Sequence, residues 1–508
     1  MCEASEEMQT EQCVVRSEME LDSLCDDALL QVLRYLSPAE LLACRCVCTR
    51  WRDLALDPFV WQDKGLTAVF KGERDERYFG VCCQLVAATL RLAPCLRYLC
   101  VGADGLHMDF LGVLLATTNC AVSSLGMTCN PIDAPLWSVV LSRQAALGRL
   151  KHVELWVKSD TEEKSHLCRL RQLLDQLVHT QGLKSLEMRV DIRPESFRNA
   201  PRPLKAAQLD AKVTASLREL MYLSRTAFVD PYLPLLLERH AATLEVVRLD
   251  VQHPRAAALL AGAARLRELR CPLLEGMPAL LRCTALTSLS LVVGEDRAPL
   301  PAVKEYLRSA VARLESLVLI YPYDEDRDED ADVVLSLAGT GRAAPALRSL
   351  SFVFTAGLDE ECLAHSMPQL RPLTAVLPRL QHLTRLSFNG LLLRSDFLDA
   401  LDGQVLPDLE ELRFDMDAPC PHQWAHGEQV RRLLQRYPRL HLCGYSVHDD
   451  DSLLCEYCKQ HDCHWFEYMS CVLFSHAVED SCGVDHSKSE VQMRVSLEAP
   501  PLGEAPPL

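Results

Sequence analysis

Leu286-Thr287-Ser288-Leu289-Ser290-Leu291 is the stretch that decides the fold. Its leucines hold the first, fourth and sixth places. In an extended chain the fourth and sixth side chains share one side, while the first fills the turn leading in. The spacing recurs at Leu96-Leu99-Val101, Val122-Leu125-Met127, Leu150-Val153-Leu155, Leu183-Leu186-Met188, Leu217-Leu220-Tyr222, Leu244-Val247-Leu249 and Leu266-Leu269-Cys271. Beyond Leu286 it returns at Leu314-Leu317-Leu319, Leu347-Leu350-Phe352, Leu383-Leu386-Phe388 and Leu409-Leu412-Phe414, with Tyr437-Leu440-Leu442 as a weaker thirteenth. Starts lie 20 to 36 residues apart. Between them run stretches of helical period, such as Leu167-Leu170-Leu174-Leu177 and Val430-Leu433-Leu434. One helix and one strand cannot close a core alone, so neighbours must stack and their strands must form a parallel ribbon.

Twelve clear signatures of this kind resemble the leucine-rich repeat, over residues 81–445. The Asn or Cys usual a few residues after the motif is largely missing, and unit length varies. The expected architecture is therefore an α/β solenoid, an irregular array of about 12–13 helix-strand units. Binding chemistry is expected on the strand positions facing away from the helices. The residue between the second and third apolar positions gives one column: Cys100, Gly126, Glu154, Glu187, Met221, Arg248, Arg270, Ser290, Val318, Ser351, Ser387 and Arg413. Two places further on lie Trp156, Arg189, Asp250, Ile320, Val353, Asn389 and Asp415. For a protein client, Trp156, Met221 and Ile320 offer apolar anchors. Arg189, Arg248, Arg270 and Arg413, with Glu154, Glu187 and Asp250, offer charge-assisted hydrogen bonds.

The array is preceded by Leu24 to Trp61, LCDDALLQVLRYLSPAELLACRCVCTRWRDLALDPFVW. Leu29, Val32, Leu33 and Leu36 fall at helical spacing over Asp26 to Leu36. Ser37-Pro38-Ala39-Glu40 ends that helix and starts another with the elements of a capping box. The second helix is expected to carry Leu41, Cys44, Val47, Cys48, Trp51 and Leu54 along one side. So short a segment cannot bury all these side chains internally, so a surplus apolar face should seek a partner.

The opening Leu24, the LLQVLRYLSPAEL core, the VCTRW run and Asp57-Pro58 before Trp61 make this stretch similar to an F-box. Cys25 stands where that family usually has Pro. The resemblance implies a small all-α domain, residues 21–61, that docks a Skp-type adaptor and thereby joins a cullin–RING ubiquitin ligase. It assigns docking to Leu24, Cys25, Leu29, Leu33, Leu36, Leu41, Val47, Cys48, Trp51 and Trp61. The repeats would then hold a client protein for ubiquitination, with no catalysis by the chain itself. The alternative is a leucine-rich-repeat scaffold whose F-box is degenerate and meets no ligase.

The remainder is set by composition and punctuation. The 508 residues are 49% hydrophobic and 24% charged, with net charge −17. That acidity argues against sequence-independent nucleic-acid binding and against an anionic membrane surface. The start, MCEASEEMQTEQ, lacks the regions of a signal peptide, and no apolar run is long enough to span a membrane. A cytosolic or nuclear protein is expected. Its 23 cysteines then read as buried thiols, Cys44, Cys48, Cys271 and Cys362 among them.

Residues 1–20 read as a disordered acidic lead-in, 62–80 as a charged linker, 446–487 as a Cys/His-rich terminal cap, and 488–508 as a disordered tail. Asp191 to Ala211 reads as an inserted loop with three prolines, and Tyr321 to Asp332 as an acidic solvated loop. Cys455-x-x-Cys458 has metal-ligand spacing, but no second pair stands at finger-like distance, so no metal and no cofactor are expected. Phosphate-binding, zinc-protease and serine-hydrolase motifs are absent from the sequence.

Overall fold

A computed structural model describes residues 24–70, 76–103, 108–159, 164–192, 214–224, 232–294, 296–322, 333–339, 344–355, 370–392, 395–401, 405–416, 427–446, 470–476 and 491–494. The chain divides into two compact units, Met1–Thr128 with Val139–Leu150, and Cys129–Ser138 with Lys151–Leu508. The inserted loop beyond Ile192, the acidic loop from 323 onward, the Cys/His tail from 447 to 469, Cys362 and both termini lie outside the described residues.

The first unit opens with four short helices: α1 Asp26–Leu33, α2 Pro38–Cys44, α3 Thr49–Leu54 and α4 Pro58–Trp61. The sequence reading joined α2 and α3 and carried α1 to Leu36. In the structure α1 ends at Leu33 with Arg34 as its C-cap, and α3 separates from α2 because Cys48 starts a helix of its own, accepting from the Trp51 N–H. Asp57 likewise starts α4, accepting from the Phe59 N–H. The capping box at Ser37 forms as read: Glu40 accepts from the Ser37 N–H at 2.7 Å, and the Ser37 hydroxyl accepts from the Glu40 N–H at 3.4 Å. The expected linker is corrected too. It contains β1 Gly65–Phe70, paired in parallel with β2 Cys95–Ala103, and α5 Glu76–Leu92 begins inside it. After α6 Met108–Thr117, β3 Ala121–Cys129 pairs with β2.

The second unit carries the long ribbon. Its strands are β4 His152–Ser159, β5 Ser185–Ile192, β6 Glu219–Ser224, β7 Val246–Leu249, β8 Glu268–Pro272, β9 Ser288–Val292 and β10 Ser316–Tyr321. They continue as β11 Ser349–Phe354, β12 Arg385–Leu392, β13 Glu411–Met416 and β14 His441–Ser446. Each is parallel to the next, in chain order.

Register explains why the motif repeats. Leu186, Leu220, Val247, Leu269, Leu289, Leu317, Leu350, Leu386 and Leu412 are successive partners, and all are buried. A second row ends in rings, with Phe352 stacked on Phe388 at 5.3 Å and Phe397 meeting Phe388 edge-on. The thirteenth unit is corrected by register. Leu442 pairs with Leu412, so it holds the second apolar position, and the third falls on Gly444.

Helices cover one side. α8 Lys164–His179 buries Leu170, Leu173, Leu174 and Leu177, and Glu428–Arg436 buries Val430, Leu433 and Leu434. Between Leu244 and Leu286 the units are shortest, and there the cover shrinks to the helix Ala256–Leu260 and a 3-10 turn at Met277–Arg282. Arginines tie successive covers together. Arg239 reaches the Val178 carbonyl at 3.5 Å, Arg313 those of Leu281 and Leu280 at 2.9 and 3.0 Å, and Arg436 that of Leu401 at 3.0 Å. These carbonyls lie at the ends of the preceding covers, where regular helical partners run out, although that of Leu280 also accepts from the Cys283 N–H at 3.0 Å. In the first unit Arg143, on α7 Ala134–Ala146, does the same for Thr118. The ribbon closes with β15 Ser470–Phe474, antiparallel to β14, followed by β16 Val491–Arg494, a strand that corrects the reading of 488–508 as disordered throughout. Val472, Leu473 and Phe474 are buried, as a terminal cap requires.

Candidate functional site

Two surfaces concern function, one in each unit. In the four-helix segment, Leu29, Leu33, Leu41, Val60 and Trp61 form the inner core, each 0–1% exposed. The Trp61 indole N–H donates to the Ala55 carbonyl at 2.7 Å, and α2 and α4 pack on α5 and β2. Four of the ten residues expected at a docking face, Leu29, Leu33, Leu41 and Trp61, are therefore corrected to core. They hold the segment together and cannot touch a partner in this arrangement.

The other six expected residues are accessible. Cys25, Val47 and Cys48 are exposed, while Leu24, Leu36 and Trp51 are half-buried. Val47 is 64% exposed, and two residues the docking assignment missed are exposed as well, Val32 at 42% and Tyr35 at 89%. The cause is helical phase. Leu29 and Leu33, four apart, face inward on α1, while Val32 lies out of phase with them and Tyr35 falls in the turn that follows the helix. A Tyr in an apolar run, out of phase with the buried pair, was the available signal.

Polar contacts fix the frame of this face. Arg50 on α3 donates to the Asp26 carboxylate at 2.7 Å and to the Leu24 carbonyl. Arg34 pairs with Asp63 and lies over the Phe59 ring. Its hydrogen bonds to Ser37 hold the Glu40 carboxyl below its usual range. Cys25 sits before α1 with φ −67°, the backbone angle a proline ring imposes.

The second surface is the ribbon side turned away from the helices. Among the ten expected client residues, Glu154, Glu187, Met221, Arg248, Arg270 and, further along, Arg413 lie in one continuous row. All six are exposed or half-buried. Trp156 and Arg189 are register partners in the next row, and both are exposed.

Three corrections apply on this surface. Ile320, expected as an anchor, is 6% exposed between its partners Val292 and Val353, so no client can reach it. Arg189, Arg248 and Arg413 are engaged already, with Glu187 at 2.6 Å, Glu268 at 2.8 Å and Glu411 at 3.1 Å. Asp250 accepts from the Ser224 backbone N–H at 2.7 Å. From β9 to β12 the rows carry Ser288, Ser290, Ser316, Ser349, Ser351 and Ser387, a low hydroxyl-lined floor.

The thiols of Cys44, Cys48, Cys120 and Cys271 are in no disulfide. Cys44 and Cys48, read as core, are half-buried and exposed, because their helix breaks between them. Burial pushes Cys120 and Cys271 up to about 12, so these thiols stay protonated. His240 moves the other way, to about 4, because burial disfavours its charged form. Its Nδ1 accepts from the Ser216 N–H at 3.2 Å. Among the described residues no group of His, Cys, Asp and Glu is placed to hold a metal ion, and no helix is long and apolar enough to cross a membrane.

Residues 21–67 match the sequence model of the F-box-like family. No curated protein matches the chain. Among solved structures it is similar to the complex of Rad7 and Elc1 in yeast, at 15% identity over 77% of this chain and 88% of that one, TM-score 0.38. It is also similar to an internalin (inlF) from Listeria monocytogenes, at 15% identity over 59% and 75%, TM-score 0.26. At such scores the architecture rests on the chain's own strand register: an F-box-like segment followed by an α/β solenoid of leucine-rich-repeat type.

Proposed function

We propose that this protein is the substrate-recognition subunit of an SCF-type cullin–RING ubiquitin ligase. The observation that carries the reading is a coincidence. The F-box-like stretch is also the stretch where Val32, Tyr35 and Val47 remain uncovered after its core has closed. These three, with Leu24, Leu36, Cys48 and Trp51 around them, dock the Skp-type adaptor. Cys25 keeps the backbone angle of the proline it replaces, so that departure does not disable the box. The ribbon holds the client. Catalysis is by proximity: the chain fixes a client lysine near a conjugating enzyme carried by other subunits, and contributes no reacting group. On this reading the protein works in the cytosol or nucleus.

The test is co-purification of the full chain with a Skp-type adaptor, comparing wild type with Val47→Asp and Tyr35→Ala. Retention by the wild type and loss by both variants, at unchanged melting temperature, is the expected outcome. A wild type that leaves the adaptor unbound ends the ligase reading.

A further inference from the structure

The row Glu154–Glu187–Met221–Arg248–Arg270 places like charges directly opposite one another at both of its ends. Such pairs are unfavourable across a sheet unless something offsets them. At each end the chain offsets only one member. Arg189 takes Glu187 at 2.6 Å, and among the described residues Glu154 has no partner. Glu268 takes Arg248 at 2.8 Å, and among the described residues Arg270 has none. Both leftover charges are exposed.

The acidic end has a further feature. Trp156, two residues beyond Glu154 and 38% exposed, carries the Lys158 ammonium 3.9 Å from its ring centroid. The chain's own cation thus occupies an aromatic face beside a free carboxylate, a setting that suits a lysine or arginine side chain. Between the two ends lie half-buried Met221 and Leu223.

From these we infer that the ribbon face takes an extended client segment of mixed charge, with a basic side chain on Glu154 and Trp156 and an acidic one on Arg270. An apolar side chain rests between them on Met221. Four strand spacings of about 4.8 Å separate the two charges by about 19 Å, which an extended chain covers in about six residues. The basic residue displaces Lys158 from Trp156, and the acidic one relieves the Arg248–Arg270 repulsion. The inference rests on the reading of this face as the client surface. It is independent of adaptor docking, which uses the other unit, so loss of adaptor binding refutes the ligase role and leaves this face untouched.

The experiment is fluorescence anisotropy on the full chain with short labelled peptides of Gly and Ser. They carry one Arg and one Glu about six positions apart, in both orders, around a central Leu. Controls neutralise either charge, duplicate either sign, or halve the spacing. The opposite-charge peptide of full spacing is expected to bind about tenfold more tightly than any control. Glu154→Gln and Arg270→Gln, both at exposed positions, are each expected to weaken it by roughly five- to tenfold. Glu154→Lys should recover binding when the peptide's Arg is exchanged for Glu. Equal binding of single-sign peptides, or no change in the doubly substituted Glu154→Gln/Arg270→Gln protein, overturns the assignment.

Discussion

In the ribbon of the second unit, the strand side chains that face the helices are consumed by their neighbours. The row from Leu186 to Leu412 is buried strand after strand, because each unit supplies the cover its predecessor lacks. The four short helices at the front obey a different rule. Leu29, Leu33, Leu41 and Trp61 close a core, yet Val32 on α1, and Tyr35 and Val47 in the turns after α1 and α2, stay in solvent. Both regions are rich in Leu and Val, so composition does not separate them. What separates them is whether a next unit exists to take the surplus. Apolar surface left over where stacking has stopped reads as a place for another molecule.

That contrast can be broken most sharply by truncation. Phe388→Ala or Leu317→Ala removes a side chain packed from both flanks and is expected to cost about 3–5 kcal/mol in urea unfolding. Tyr35→Ala is expected to cost under about 0.5 kcal/mol. Comparable losses at Tyr35 and Leu317 would mean that the front segment is sealed like the ribbon. A second probe is pH. His240 is buried neutral with its pKa lowered from 6.5 to about 4, so the unfolded chain binds more protons between those values. Its contribution is present above pH 6.5 and is lost as pH falls toward 4. The expected loss is about 2–3 kcal/mol across that window, and His240→Gln should flatten the dependence in urea melts at stepped pH.

Smaller effects sharpen the same distinction. Arg313→Ala removes the guanidinium bonds to the Leu281 and Leu280 carbonyls of the preceding cover and should cost about 1–2 kcal/mol, while Arg313→Lys should recover part of it in thermal unfolding. Small and of the opposite sign is Cys25→Pro. With φ already at −67°, the ring should stabilise by about 0.4–1 kcal/mol through the unfolded chain, and leave adaptor retention no weaker. A destabilised Cys25→Pro protein would show that the Cys25 N–H or thiol matters there.

The ribbon was legible because its signal is periodic and each unit restates it. The motif at Leu286 named its strand partners before any pairing was seen. It misled at the last unit, where only pairing with Leu412 shows that Leu442 and not Leu440 stands in phase. It was silent at β1, where Leu66 keeps the second apolar position opposite Leu99 but Ala68 and Asp63 stand at the other two. The candidate sites were less legible. Spacing alone placed Val32 with Leu29 and Leu33, although helical phase puts it on another face. Nor does spacing show that Ile320 is enclosed by Val292 and Val353, or that Arg189 and Arg248 already have carboxylates. Sequence orders the rows, and only the fold says which side chains in a row are spoken for.

The bond from Arg50 to Asp26 and to the Leu24 carbonyl has a consequence for how docking responds to its medium. The pair is accessible to solvent, so dissolved ions screen it within about 10 Å at 0.1 M. Adding a salting-out electrolyte such as sulfate therefore loosens the entry to α1 while strengthening the oily contacts α1 could make. A greasy surface framed by an electrostatic pin should show an optimum, gripping best at intermediate ionic strength.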